Sequence, residues 1–129
     1  MSVYGIGADL VRTDRIARMR RAYGERFLDR VFSPKEKAQA MVRRDPDAHL
    51  AARFAAKEAL AKAMGTGIFA ERLSDICVEK DAQGRPGIAL SGGWARRCTL
   101  AGVTGLHLTI SHEGSYALAV VVCEGGQQP

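Results

Sequence analysis

Residues 45–67, DPDAHLAARFAAKEALAKAMGTG, constrain the fold more than any other stretch of this chain. Asp45 is suited to accept an N-cap hydrogen bond, and Pro46 fits the first helical position, where a missing N–H costs nothing. Asp47 adds negative charge at the positive end of the helix dipole. Alanines, leucines and one methionine give high helix propensity, and Gly65 and Gly67 mark the stop. The spacing predicts one helix of roughly 28 Å at ~1.5 Å per residue, enough to cross a small domain. Its smooth alanine surface lets other backbones pack close, so the remaining elements are expected to arrange themselves around it.

Arg53, Lys57, Glu58 and Lys62 interrupt that surface. Glu58 and Lys62 are four apart and share a face with Phe54 one turn earlier. Alone, they read as an ordinary i,i+4 ion pair worth a few tenths of a kcal/mol. Chemistry would require a second carboxylate from elsewhere.

Length and composition fit one domain over residues 1–124, with 125–129 as a flexible tail. No apolar run approaches a membrane span, and no basic n-region with an apolar h-region follows Met1. Cys77, Cys98 and Cys123 are odd in number and scattered, which argues against a disulfide framework or zinc site and for a reducing cytoplasm. The net charge of +5 favours an acidic partner without naming one. Aromatic residues, at 6%, are too few for an obvious base-stacking platform.

Residues 3–11, VYGIGADLV, read as a strand. Val3, Gly5, Gly7 and Asp9 share one face and Tyr4, Ile6, Ala8 and Leu10 the other. Two glycines in a strand signal the close approach of another backbone or a ligand. A helix follows, with Thr13 as N-cap and Gly24 as stop. Arg12, Arg15, Arg18, Arg20 and Arg21 lie in or beside it, more arginine with less balancing acid than an ordinary solvated face carries, and Arg15, Arg18 and Arg21 share one face; this suggests an acidic partner, while Ile16, Met19, Ala22 and Tyr23 form its apolar side. A short helix over 25–32 precedes a capping box, Ser33-Pro34-Lys35-Glu36, opening a helix to about Arg43. Residues 73–80 alternate as a strand and turn back through 81–86 into a second strand over 87–90. Ser91 caps a helix that ends at Gly102. Residues 106–111 and 115–123 are strands joined by a tight turn at His112-Glu113-Gly114, the second of them central and buried. His107 and His112 are five apart and face opposite sides, against a two-histidine metal site.

Asp9 and Glu58 therefore come from elements expected to pack together, with Lys62 one turn beyond. Two carboxylates without cysteine or paired histidine select a hard cation; Mg²⁺ is held by one or two carboxylates plus water and substrate phosphates. A nearby lysine and a Gly65-Thr66-Gly67 turn with free N–H groups suit phosphate. The residues thus point to a phosphate-bearing substrate and chemistry at phosphorus.

Gly5-Ile6-Gly7-Ala8-Asp9-Leu10 with Arg15-Ile16 resembles the N-terminal signature of the holo-[acyl-carrier-protein] synthases, the short 4′-phosphopantetheinyl transferases. Arg53-Phe54-Ala55-Ala56-Lys57-Glu58-Ala59 and Lys62-Ala63-Met64-Gly65-Thr66-Gly67-Ile68 resemble their central motif. Asp75-Ile76, Gly84-Arg85-Pro86 and Thr109-Ile110-Ser111-His112-Glu113 match later blocks in order and spacing. Met64 and Thr109 depart mildly, at positions often filled by leucine and serine.

The resemblance implies an α+β fold, a small mostly antiparallel sheet packed on a long central helix. It implies transfer of 4′-phosphopantetheine from coenzyme A to a serine of apo acyl carrier protein, releasing adenosine 3′,5′-bisphosphate, in fatty acid synthesis with polyketide carriers as an alternative. Asp9 and Glu58 would hold Mg²⁺. Lys62 and the Gly65–Gly67 turn would face coenzyme A phosphates, and Arg53 or His112 would line its nucleotide end. Glu58, a metal-bound water or His112 would take the serine proton. Arg15, Arg18 and Arg21 would dock the acidic carrier. The family also implies a homotrimer with sites between subunits. Two rivals stand beside this reading. A basic nucleic-acid-binding module rests on the arginine helix alone and leaves Asp9 and Glu58 unexplained. A non-catalytic coenzyme A-binding subunit is opposed by the intact Asp9, Glu58 and Lys62.

Overall fold

In the computed structural model, which describes residues 2–126, the alanine-rich stretch forms α4 (Pro46–Ala63), with the Asp45 side chain accepting from Ala48 N–H. The three-stranded antiparallel sheet against which it lies has the order β1 (Val3–Arg12), β5 (Tyr116–Gly125), β4 (Val103–Glu113). Between β1 and α4 run α1 (Thr13–Tyr23), α2 (Glu25–Val31) and α3 (Pro34–Met41). After α4 come a 3₁₀ turn (Leu73–Asp75), a separate hairpin of β2 (Ile76–Lys80) and β3 (Pro86–Leu90), and α5 (Gly92–Ala101). The architecture is the expected α+β arrangement of a small antiparallel sheet on one long helix.

The glycines of β1 are what let helix and sheet touch. A β-carbon on Gly5 would overlap the Ala63 carbonyl oxygen and lie 2.9 Å from its carbon; one on Gly7 would overlap the Ala59 carbonyl oxygen and lie 2.7 Å from Ala63 N. Backbone therefore meets backbone, and Asp9, two residues on along the same face, is carried to the flank of α4. The alanines of α4 from 51 to 63 are all buried, between the sheet on one side and the other helices on the rest, and the sheet adds Ala117, Ala119, Val121 and Cys123 from its inner face. β5 is the central strand, as its apolar run predicts.

A buried ion pair fixes the other side of α4. Ser33 and Glu36 form the expected capping box, but Glu36 does more than cap. Its Oε1 accepts from Lys57 Nζ at 2.8 Å and from Ser33 N–H, and its Oε2 accepts from Val78 N–H at 2.9 Å. Lys57 Nζ also donates to the carbonyls of Leu73 and Ile76. One carboxylate and one ammonium thus join α3, α4, the 3₁₀ turn and β2, both side chains wholly buried. On the far edge, Arg20 clamps Asp47 with two bonds of 2.7 and 3.0 Å and ties α1 to the start of α4.

Several local expectations change. The N-cap of α1 is Arg12, and Thr13 N–H instead donates to Ser115 O, because the chain enters the helix directly from the paired strand. Residues 73–75 form a 3₁₀ turn rather than strand, with the Leu73 carbonyl turned to accept from the buried Lys57. His112 and Glu113 belong to β4, paired with Ala117 and Tyr116, so the turn is Gly114-Ser115, with Gly114 at φ 56°. Met19 and Tyr23, expected to be covered, are exposed. Of the tail expected over 125–129, Gly125 closes β5 and Gly126 N–H donates to Gly102 O; residues 127–129 lie outside the described residues. Among the described residues, no helix is long and apolar enough to cross a membrane.

Candidate active site

Asp9 and Glu58 come together as their elements require. Lys62 Nζ donates to Asp9 Oδ1 at 3.1 Å and to Ala8 O at 3.0 Å, while Arg15 Nη2 lies 3.3 Å from Glu58 Oε1. Glu58 and Lys62 therefore do not pair with each other; each reaches across to β1 or α1. The Asp9 side chain is one-tenth exposed, and its Oδ2 is buried without a hydrogen-bond partner. Burial and the neighbouring Asp9 carboxyl push Glu58 up to about 7, against the opposing pull of Arg15 and Lys62. Two carboxylates crowded at low dielectric, one with an orphaned oxygen, form a site that lacks positive charge. The donor set is all oxygen, as a hard cation requires.

The Gly65–Gly67 turn differs from expectation. Gly65, at φ 73°, donates to Lys62 O at 3.0 Å, and Thr66 N–H donates to Ala61 O at 2.9 Å. This is a Schellman cap, and it engages two N–H groups that the sequence reading left free for phosphate. The Thr66 hydroxyl and Gly67, which the cap does not engage, remain beside Lys62.

A second cluster sits at the start of α4. Arg53 is 4% exposed, yet its Nε is buried without a partner, and its Nη1 makes only a 3.5 Å contact to His49 O. Burial holds its guanidinium below the usual range. His49 has a buried, unpartnered Nε2; burial first, then the charges of Arg53, Arg43, Lys80 and His112, lower it to about 4. His112 pairs with the inner-face residue Ala117, so its strand position directs it toward α4, and it belongs to this cluster rather than to the Asp9–Glu58 pair. At about 100° per residue, Arg53 and Glu58 point roughly 140° apart around α4. The two parts of the expected site thus face different sides of one helix.

Arg18 and Arg21 are exposed on α1, whereas Arg15 is committed to Glu58 and stacks over Phe54 at 5.0 Å. Beside them opens a groove of about 850 Å³ between α1, α2 and residues 69–74. Met19, Tyr23, Phe54 and Phe69 give it an apolar floor, and Arg26 and Arg30 add to its basic rim. His49, Arg43, Lys80 and the Glu36–Lys57 pair were absent from the sequence-based site. A histidine in an otherwise alanine-lined first turn was the one available signal for the first; nothing local announced the others.

The arrangement of Asp9 on a glycine strand against Glu58 and Lys62 of the alanine helix can be set beside known proteins. A sequence profile described as the 4′-phosphopantetheinyl transferase superfamily matches residues 5–121. The chain belongs to the 4′-phosphopantetheinyl transferase superfamily. Within it, this chain is 42% identical over 122 residues to a holo-[acyl-carrier-protein] synthase of Syntrophotalea carbinolica, covering 94% of this chain and 95% of that one. The crystal structure of holo-[acyl-carrier-protein] synthase from Neisseria meningitidis superposes with a TM-score of 0.87 at 35% identity, covering 95% and 99% of the two chains. The Helicobacter pylori synthase in complex with coenzyme A superposes with a TM-score of 0.81 at 32% identity, covering 92% and 99%. In this transferase, then, the sheet and the long helix derived from the sequence belong to a known scaffold.

Proposed function

We propose that this transferase is a holo-[acyl-carrier-protein] synthase in which Asp9 and Glu58 hold Mg²⁺ and Lys62 binds phosphate. It transfers 4′-phosphopantetheine from coenzyme A to a serine of apo acyl carrier protein. The observation that carries the metal assignment is the buried, unpartnered Asp9 Oδ2 beside a Glu58 pushed up to about 7. Bound there, the cation would neutralise charge on the pyrophosphate oxygens and polarise the phosphorus under attack. Arg15 and Lys62, which now lie against the carboxylates, become available to substrate phosphate once the pair's charge is matched. Lys62 then stabilises charge where it develops. The serine oxygen forms the new bond to phosphorus as the P–O bond to adenosine 3′,5′-bisphosphate breaks. Glu58, one turn from Lys62 at the same site, is the carboxylate assigned here to take the serine proton.

The nucleotide end of coenzyme A is assigned to Arg53 and His112. Because these face away from Glu58 around α4, one coenzyme molecule is best served by Glu58 of one subunit and Arg53 of its neighbour. The outer sheet face supports such an assembly: Ile6 and Leu10 of β1 are exposed, Val3 joins them rather than the Gly5–Asp9 face because the pairing shifts register between Val3 and Gly5, and Leu118 of β5 adds to the same surface. An apolar sheet face of this kind is suited to burial against further copies, and a homotrimer is the assembly this reading takes. The acidic carrier docks on α1, its charges against Arg18 and Arg21 and its apolar residues toward the groove floored by Met19 and Phe54. Fatty acid synthesis in the cytoplasm is the setting that fits the carrier and the three free cysteines.

The test is to incubate the protein with coenzyme A, Mg²⁺ and apo acyl carrier protein and to weigh the carrier by mass spectrometry. A gain of one phosphopantetheine, lost on chelation of the metal, is expected. No gain with several carriers would leave a coenzyme A-binding protein without transfer.

A further inference from the structure

His49 is a residue that the reaction, as derived above, does not use. It sits one turn into α4, four residues before Arg53 and therefore on the same stripe of the helix. Among the described residues, buried side-chain nitrogen or oxygen atoms without a partner occur at Asp9, His49, Arg53 and Trp94. Two of these four are nitrogens that share one stripe of α4. Unpaired buried donors cost about 1–3 kcal/mol each, so two together need a reason.

The charges around them supply it. Arg53, Arg43, Lys80 and His112 all act on His49, from α4 itself, the loop before it, the end of β2 and the end of β4. The acidic group that acts on this cluster is Glu36, through Arg53, and both its oxygens are engaged by Lys57, Ser33 N–H and Val78 N–H. Three permanent cations and two buried donors, with both oxygens of Glu36 already engaged, make an anion site. Its charge suits a dianion with three acceptor oxygens, which is a phosphate monoester.

We infer that His49 is a specificity residue that donates Nε2–H to the phosphate monoester of the nucleotide, so that this protein selects coenzyme A over its dephosphorylated form. This rests on the reading of Arg53 and His112 as the nucleotide end. His49 acts as the neutral imidazole in its Nε2–H tautomer. Burial and four positively charged or chargeable neighbours disfavour a further proton on the ring. Phenylalanine fills a similar volume but cannot donate, whereas glutamine keeps an N–H.

The experiment compares wild type, His49→Phe and His49→Gln in transfer to apo carrier, with coenzyme A and with dephospho-coenzyme A as donors. His49→Phe should raise KM for coenzyme A about tenfold, the value of one hydrogen bond to a charged group, with kcat unchanged. KM for dephospho-coenzyme A should not move, and His49→Gln should recover part of the loss. An equal rise for both donors, or no rise for coenzyme A, overturns the inference. If the wild type transfers from neither donor, the reaction assignment has failed, and calorimetry still decides the site. Adenosine 3′,5′-bisphosphate should bind wild type about tenfold more tightly than His49→Phe, with adenosine 5′-monophosphate bound equally by both. Inorganic phosphate competing at the same site would show a pocket for free phosphate; an unchanged bisphosphate affinity in His49→Phe would dismiss the ligand role.

Discussion

Gly7 and Ala59 meet backbone to backbone, close enough that a β-carbon on residue 7 would overlap the Ala59 carbonyl oxygen. The neighbour is helix backbone, so it cannot swing aside. Gly7→Ala should therefore force β1 off α4 and move Asp9 away from Glu58. We expect a loss of at least about 2 kcal/mol, seen as a fall of several degrees in the thermal midpoint. Transfer should drop further than the folded fraction does. A variant with wild-type midpoint and rate would show that the contact is slack.

The Glu58 carboxyl titrates against the fold. Its folded value of about 7 lies above the ordinary 4.5, so the folded state holds its proton more tightly than the unfolded chain. Stability from this group is full below about pH 4.5 and is lost as pH rises through 7. Without divalent cation, the midpoint of wild type should fall relative to Glu58→Gln between pH 5 and pH 8. Mg²⁺ at pH 8 should restore it in wild type only, and Glu58→Gln should be inactive. Parallel pH curves for the two proteins would remove the basis for a charge-starved site.

The arginines of α1 should separate into two groups. Arg18 and Arg21 are exposed, whereas Arg15 holds Glu58 and covers Phe54. Reversing Arg18 and Arg21 to glutamate should raise KM for the carrier about tenfold and leave KM for coenzyme A unchanged. Arg15→Glu should lower kcat as well, because it sets a third carboxylate beside Asp9 and Glu58. Identical kinetics for both substitutions would place the docking surface elsewhere.

Much of this was legible in the sequence because it rests on local rules. Asp45 and Pro46 open α4, Ser33 and Glu36 make their capping box, and alternation in β1 sends Gly7 and Asp9 to one face. The Asp9–Glu58 pair followed from that face meeting an alanine helix. What stayed hidden depends on partners distant in sequence. Nothing local to Lys57 signals burial, yet it is wholly buried against Glu36, 21 residues away. His112 was read into a turn because its glycine neighbour was visible and its pairing with Ala117 was not. The N–H groups of Gly65 and Thr66 looked available for phosphate until the helix end claimed them.

The Lys57–Glu36 pair yields a prediction of its own. Burial opposes the Lys57 charge and Glu36 supports it, so removing either partner leaves the other ionised without compensation. Lys57→Met should cost about 3–5 kcal/mol. Adding Glu36→Gln should return part of that loss, because the remaining buried charge is gone. Strictly additive losses in the double variant, followed by urea unfolding, would argue that the two side chains act separately.

The opposed directions of Glu58 and Arg53 around α4 bear on inheritance as well as chemistry. If each centre draws Glu58 from one chain and Arg53 from the next, a Glu58→Gln chain and an Arg53→Gln chain are defective for different halves of the centre. Coassembled in equal amounts, they should regain about a quarter of the centres, although neither works alone. The unit of function would then be the interface, and two damaged gene copies in one cell could sustain growth that neither supports by itself.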